Sequence, residues 1–178
     1  MKLLIGLASA SVALLTFGDA VAQDAYKWSD IDCGQSRLVP IAGAKCRATN
    51  VVSGGDGAGG QFQQWSIQGT GSYVNIRLHE GLAGASYIHT KQTGVEYLKA
   101  RDSRAKGSPD MGTAARHGDA DYYLFKASGG EECVGFRRYG PSRSMGYAWI
   151  MGGVMCAPKG SALTPAQANA FIDSARVR

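Results

Sequence analysis

Four cysteines constrain the fold of this chain more than any other feature of its sequence. Cys33, Cys46, Cys133 and Cys156 form an even set in a chain of 178 residues, and an even set in an exported protein is typical of two disulfides. Three pairings are possible. We favour Cys33–Cys46 and Cys133–Cys156, because each pair encloses a segment with its own turn signal. A four-cysteine zinc site is the alternative, but the spacings are wide and there is no Cys-x-x-Cys.

Residues 1–22 have the organisation of a cleavable export signal. Lys2 gives a positive start, residues 3–17 are almost continuously apolar, and Ala20-Val21-Ala22 is a small-x-small cleavage pattern. An N-terminal membrane anchor is the alternative, but the run is shorter than the roughly 20 apolar residues that a bilayer requires. We therefore expect residues 23–178 to form one disulfide-linked domain that is periplasmic or secreted. No later stretch is apolar enough to span a membrane, so we expect the mature chain to be soluble.

Short alternating stretches predict a sheet. In residues 73–79, Val74, Ile76 and Leu78 share one face, and the polar side chains occupy the other: Tyr73, Asn75, Arg77 and His79. Residues 133–139 and 145–156 predict two further strands, joined by a loop at residues 140–144. Both faces of the second strand are apolar, which indicates a central position. Polar residues 101–118, broken by Gly and Pro, predict a long exposed loop.

The clearest helix lies near the C-terminus. Thr164 precedes Pro165, and Gln167 completes a Thr-x-x-Gln capping box. Apolar residues then recur at helical spacing, including Phe171 and Ile172. Several short strands followed by one helix predict an α+β fold, with a mainly antiparallel sheet and the helix packed on it.

The C-terminal hairpin is the leading candidate for a binding surface. The mature chain has a net charge of +5, all of it in residues 133–178, because the acidic and basic residues of residues 23–132 balance. Cationic and aromatic side chains mix in the hairpin, and we assign binding to five of them: Arg137, Arg138, Tyr139, Arg143 and Tyr147. We expect an anionic envelope component or a partner protein as the ligand. Alternatively, the aromatic residues are core and the arginines are solvated, and Arg137 and Arg138 point to opposite faces of a strand.

A small exported hydrolase is the second hypothesis. His117, Asp119 and Asp121 alternate, so an extended backbone would turn all three to one side, where nitrogen and oxygen could hold a divalent ion. His79 is the other candidate for acid–base chemistry. The spacing matches no specific metal signature, and no Gly-x-Ser-x-Gly elbow is present. We therefore expect no metal at these residues.

Other ligand classes have little support in the sequence. Residues 55–60 match G-x-G-x-x-G, but no convincing βαβ unit surrounds them, and no P-loop ending follows. We expect no cofactor and no nucleic-acid partner. The sequence leaves the oligomeric state open, and it carries no motif specific enough to assign a family.

Overall fold

Strands dominate the structure. The computed structural model describes residues 27–53, 58–59, 61–69, 72–82, 86–88 and 92–178. The elements in these residues are, in chain order, β1 (Trp28–Ile31), a 3₁₀ turn (Cys33–Gln35), β2 (Lys45–Thr49), β3 (Val52–Ser53), β4 (Ala58–Gly59), β5 (Gln61–Gln68), β6 (Val74–Gly81), β7 (Tyr87–Ile88), α1 (Gly94–Arg101), α2 (Ser103–Lys106), β8 (Ala115–His117), β9 (Ala120–Lys126), β10 (Glu132–Tyr139), β11 (Ser142–Arg143), β12 (Gly146–Tyr147), β13 (Trp149–Cys156) and α3 (Pro165–Ser174).

The strands form two antiparallel sheets. In the large sheet the order is β1-β2-β5-β6-β13-β10-β9-β8, and β3 adds a second short partner to β5. In the small sheet the order is β11-β12-β7-β4. Strand β13 lies between β6 and β10, as expected for a strand that is apolar on both faces.

Helix α3 covers one side of the large sheet. Phe171 and Ile172 of α3 pack with Ile76 of β6, Phe136 of β10 and Met151 of β13. The same cluster includes the segment between β1 and β2, where Leu38 forms a bridge with Val177. We call this side of the sheet the α3 face.

Helix α1 lies against the opposite side, which we call the α1 face. Tyr97 and Leu98 of α1 pack there with Ile150 and Val154 of β13. The helix approaches closely because glycines lie beneath it. A Cβ added to Gly135 would lie 2.8 Å from Leu98 Cδ1, and one added to Gly152 would overlap the Tyr97 ring.

The structure confirms the α+β fold with a mainly antiparallel sheet, a C-terminal helix and two disulfides. Sulfur atoms are bonded in the favoured pairs, Cys33–Cys46 and Cys133–Cys156. The second bond links directly paired residues of the hairpin formed by β10 and β13. At the start of α3, the Thr164 side chain accepts from the Gln167 amide, and the Gln167 side chain accepts from the Thr164 amide, which completes the capping box.

Residues 101–118 are more ordered than expected for a long loop. Arg101 ends α1, and Asp102 then caps α2 by accepting from the amides of Arg104 and Ala105. Met111 is buried farther along the segment. The polar composition misled the interpretation because Asp102 stabilises the turn locally through hydrogen bonds that the residue pattern does not show.

Two sequence expectations concern segments that the structure covers only in part or not at all. Residues 1–22, the expected export signal, lie outside the described residues. The glycine-rich residues 53–60 are described only at residues 53 and 58–59. In the part of the chain that is described, no helix is long and apolar enough to cross a membrane.

Candidate functional site

Three of the predicted binding residues lie together at the end of the C-terminal hairpin. Arg137 and Tyr139, two residues apart in β10, both lie on the α1 face. The Arg137 Cζ lies 5.1 Å from the centroid of the Tyr139 ring. The Tyr139 and Tyr147 rings stack with centroids 4.3 Å apart. Arg143, in the neighbouring β11, donates from Nη1 to the Ser86 carbonyl of the β7 segment. We call Arg137, Tyr139 and Tyr147 the hairpin platform.

Arg138 lies on the other side of the sheet, as the strand alternation requires. Its Nε is 2.7 Å from Asp119 Oδ1, and its Nη1 donates to the Ala175 carbonyl at 3.0 Å. Its side chain is 13% exposed and that of Arg137 is 11% exposed, so the contacts of the two arginines distinguish them and burial does not. Arg138 therefore holds β10 against the C-terminal end of α3 and does not share a surface with Arg137.

A row of directly paired residues crosses the α1 face from one edge of the large sheet to the other. Its members are Asp30, Arg47, Ser66, Arg77, Gly152, Arg137, Asp121 and Arg116. Paired residues of antiparallel strands project their side chains to the same face. We call this set the arginine row.

The acidic residues of the arginine row balance only part of its charge. Arg47 Nε lies 3.1 Å from Asp30 Oδ1, and Arg137 Nη2 lies 3.6 Å from Asp121 Oδ2. Arg77, in the middle of the row, pairs with no carboxylate among the residues that the structure describes. Its guanidinium instead lies 5.7 Å from the centre of the Trp28 ring.

Tyr97 brings a further arginine to the middle of this row. Because Gly152 has no side chain, the Tyr97 ring lies over it, between Arg77 and Arg137. Arg101, one turn later in α1, lies 4.3 Å from the Tyr97 ring centroid. Burial raises the pKa of Tyr97 to about 12, and the positive charges of Arg101, Arg77 and Arg137 oppose this shift. Three guanidinium groups therefore surround one buried phenol.

His79 follows Arg77 on the same face of β6. Its ring stacks on Phe62, with centroids 4.9 Å apart. Burial and, to a lesser extent, the charge of Arg101 lower the pKa of His79 to about 4. The imidazole is therefore neutral at neutral pH and adds hydrogen-bonding capacity without charge.

The hydrolase hypothesis depends on residues that the structure distributes among different partners. Gly118, with φ at 59°, turns the chain between β8 and β9, so His117 and Asp121 are not on one continuous strand. His117 Nε2 lies 2.9 Å from Asp173 Oδ1, whereas Asp119 pairs with Arg138 and Asp121 with Arg137. The expected common orientation of the three side chains is therefore not observed.

The described residues contain no group of three or more His, Cys, Asp or Glu side chains that could hold a metal ion. His79, the other catalytic candidate, is next to Glu80 in sequence, but the two side chains lie on opposite faces of the sheet. Glu80 is bound on the α3 face by Arg37, at 3.0 Å from Nε and 2.8 Å from Nη2. His79 therefore has no carboxylate partner in the part of the chain that is described.

Comparisons with protein-family models, with curated proteins and with solved structures found no match.

Sequence reasoning missed Arg77, Tyr97 and Arg101 as site residues. The alternation of β6 correctly placed Arg77 and His79 on a polar face. The regional charge count, however, gave residues 23–132 no net charge, and so directed attention to the C-terminal segment. The grouping becomes visible only when the strand register places Arg77 in line with Gly152 and Arg137.

Proposed function

We propose that this protein is an exported binding domain that recognises an anionic envelope component or partner protein through the hairpin platform and the adjoining Arg101. The observation that carries the proposal is the position of two arginines beside Tyr97. Arg101 Cζ lies 4.3 Å from the Tyr97 ring centroid, and Arg137 is paired with Gly152, over which that ring lies. Of the two arginines, only Arg137 lies within ion-pair distance of a described carboxylate, and that distance is 3.6 Å. Positive charge that the protein does not itself balance favours an anionic ligand.

The aromatic residues of the hairpin platform support the same proposal. Stacked tyrosine rings beside the Arg137 guanidinium, whose side chain is 11% exposed, place an apolar surface, hydroxyl groups and positive charge within one area. Arg137 also donates to the Gln92 carbonyl at 2.7 Å, and Arg101 donates to the Gln92 side chain at 3.2 Å. These bonds hold both arginines beside the start of α1, which limits the entropy lost when a ligand orders them.

Compartment is part of this proposal. Two disulfides fit an oxidising environment outside the cytoplasm. The apolar N-terminal segment and its Ala20-Val21-Ala22 pattern supply the route of export.

Binding to immobilised dextran sulfate, compared with neutral dextran, tests the proposed function. We expect retention on dextran sulfate alone, weakened by added salt because exposed charges are screened. Arg101→Gln and Arg137→Gln should each weaken binding several-fold. Lys159→Gln removes one exposed charge elsewhere and should have little effect.

Two outcomes would contradict the proposal. One is retention that is equal on the charged and neutral polymers. The other is an equal loss of binding in Arg137→Gln and Lys159→Gln, since that result would report net charge alone and no particular surface.

A further inference from the structure

Six buried polar atoms on the α1 face have no hydrogen-bond partner among the described residues. Two of them, Arg47 Nε and Arg137 Nε, belong to arginines that have a carboxylate within ion-pair distance. The other four lie on β5 and β6. Three alternate along β6: Asn75 Oδ1, Arg77 Nε and His79 Nδ1. The fourth, Ser66 Oγ, belongs to the residue of β5 directly opposite Arg77. Buried polar groups are nearly always hydrogen-bonded, so a continuous set without partners requires an explanation. We call these four residues the β6 strip.

Neighbouring residues fix how the β6 strip presents these atoms. Asn75 Nδ2 donates to Asp102 Oδ2 at 2.8 Å, which leaves Asn75 Oδ1 as an acceptor. Asp102 Oδ2 also accepts from the Tyr73 hydroxyl at 2.9 Å. Because Asp102 additionally caps α2, its carboxylate is engaged by neutral donors and forms no ion pair with Arg77.

A cleft of about 350 Å³ opens beside Arg77 and Asn75. The side chains of Gln68, Tyr73 and Ser103 complete its polar lining. Its volume lies within the range of small-molecule sites, and no acidic residue is among its described lining residues. The cleft therefore connects two residues of the β6 strip, Asn75 and Arg77, with a space that a ligand can enter.

The hydrogen-bonding needs of the β6 strip define the ligand. Arg77 Nε donates and favours an anionic acceptor, whereas Asn75 Oδ1 requires a donor. From Asn75 to Arg77, the two residues of the strip that line the cleft, the strand advances roughly 7 Å, at about 3.3 Å per residue. A single phosphate or sulfate group is too small to meet both ends. The ligand must therefore carry an anionic group and, at some distance from it, a hydroxyl group that can donate.

We propose that the β6 strip binds an acidic saccharide, with a uronic-acid carboxylate on Arg77 and a ring hydroxyl that donates to Asn75 Oδ1. Tyr73 lines the cleft, and the face of its ring that is not covered by the Arg104 guanidinium can pack against a sugar ring. This site is separate from the hairpin platform, because its hydrogen-bonding groups come from β5 and β6.

Calorimetric titration with trigalacturonate tests this proposal. We expect the protein to bind trigalacturonate at least tenfold more tightly than its fully methyl-esterified, uncharged form. Inorganic phosphate at the same concentration should not displace the saccharide. Equal binding of the charged and esterified forms, or no binding of either, would overturn the proposal.

Variants in the arginine row locate the ligand. Arg77→Gln should weaken trigalacturonate binding at least tenfold, and Ser66→Ala should weaken it several-fold. Arg47→Gln is the matched control: Arg47 lies in the same row and 5.9 Å from the same Trp28 ring, but Asp30 balances its charge. Its binding should be unchanged. If Arg77→Gln does not fold, Ser66→Ala carries the test, because the Ser66 hydroxyl has no described partner to lose.

The same titration separates this inference from the proposed function. Arg137→Gln should weaken trigalacturonate binding much less than Arg77→Gln does. Trigalacturonate binding that depends on Arg137 and not on Arg77 would overturn the proposal that the β6 strip binds the saccharide. It would leave the proposed function of the hairpin platform intact. Trigalacturonate binding that depends on Arg77, without retention on dextran sulfate, would overturn the hairpin platform alone.

Discussion

Gly152 is one of the two strand glycines that let α1 lie close against the sheet. At Gly152 the arginine row lacks a side chain, and the Tyr97 ring occupies the space. A methyl group at this position would overlap that ring and would lie 2.9 Å from the Phe136 carbonyl oxygen. The backbone carbonyl belongs to a paired central strand and cannot move aside easily. Gly152 therefore sets the distance between Tyr97 and the arginines on both sides of it.

Gly152→Ala should destabilise the protein by about 1–3 kcal/mol, because overpacking a filled site forces the surrounding groups to shift. Urea unfolding measures the loss. Gly107→Ala is the control, since the nearest atom to its added Cβ is Ser128 Oγ at 3.0 Å, on a side chain that can rotate. An equal effect of the two substitutions would contradict the close packing of Tyr97 on the sheet.

Because of His79, the free energy of unfolding should decrease as the pH is lowered. Its pKa is about 4 in the folded protein and about 6.5 when unfolded. Between these values the unfolded chain binds a proton that the folded protein does not, so the free energy of unfolding decreases as the pH is lowered. The contribution of this group is constant above about pH 7, and we expect a loss of about 2 kcal/mol by pH 5.

Urea unfolding of the wild type and of His79→Gln, at pH 7.5 and pH 5, measures that contribution. The variant lacks the titrating group and should lose about 2 kcal/mol less over the same interval. Carboxylates and other groups titrate equally in both proteins and cancel in the difference. Parallel loss in the two proteins would show that His79 is readily protonated in the folded state.

At the scale of elements, α3 is stabilised at its first turn by reciprocal bonds between Thr164 and Gln167. Thr164→Ala removes the side-chain acceptor and should destabilise the protein by about 1 kcal/mol. Thermal or urea unfolding checks this value. Ser161→Ala, at an exposed position before the helix, should change stability by less than about 0.5 kcal/mol.

Elements with strong local signals could be predicted from the sequence, and those stabilised by distant residues could not. A capping box and apolar residues at helical spacing predict helix α3. Helix α1 also begins with a capping box, from Thr93 to Glu96, but it buries only Gly94, Tyr97 and Leu98. Its remaining residues are mostly polar, so its apolar periodicity is weak. Its position depends on glycines in strands that lie much later in the chain.

The candidate site was predicted only in part, for the same reason. Arg137, Tyr139 and Tyr147 are close in sequence, and the hairpin brings them together. Arg77 and Arg101 come from separate segments, and only strand register and helix packing group them with Arg137. Local pattern can show which face a residue occupies, but it cannot show which strand will lie beside it.

At the scale of the whole molecule, the two disulfides close loops in different halves of the chain. Their sequence separations are 13 residues for Cys33–Cys46 and 23 residues for Cys133–Cys156. In the chain-entropy model each bond stabilises the fold by about 3 kcal/mol, because it restricts the unfolded chain. Both bonds therefore contribute a large part of the stability of a domain of this size.

Replacing either pair of cysteines with alanine should lower the free energy of unfolding by about 3 kcal/mol. Denaturant unfolding of the two double variants provides the measurement. Similar losses are expected, since the entropy of loop closure depends only weakly on loop length. A loss below about 1 kcal/mol in either variant would contradict this account of that bond.

The central position of β13 has a consequence for how the chain assembles. This strand is the last in chain order, yet it joins β6 to β10 and so connects the two halves of the large sheet. Until residues 149–156 are in place, β6 and β10 each present an unpaired edge to which another extended chain can attach. Pairing between β6 and β13 is also distant in sequence, and such contacts form slowly. We therefore expect aggregation to be fastest in newly synthesised chains, before β13 pairs with β6 and β10.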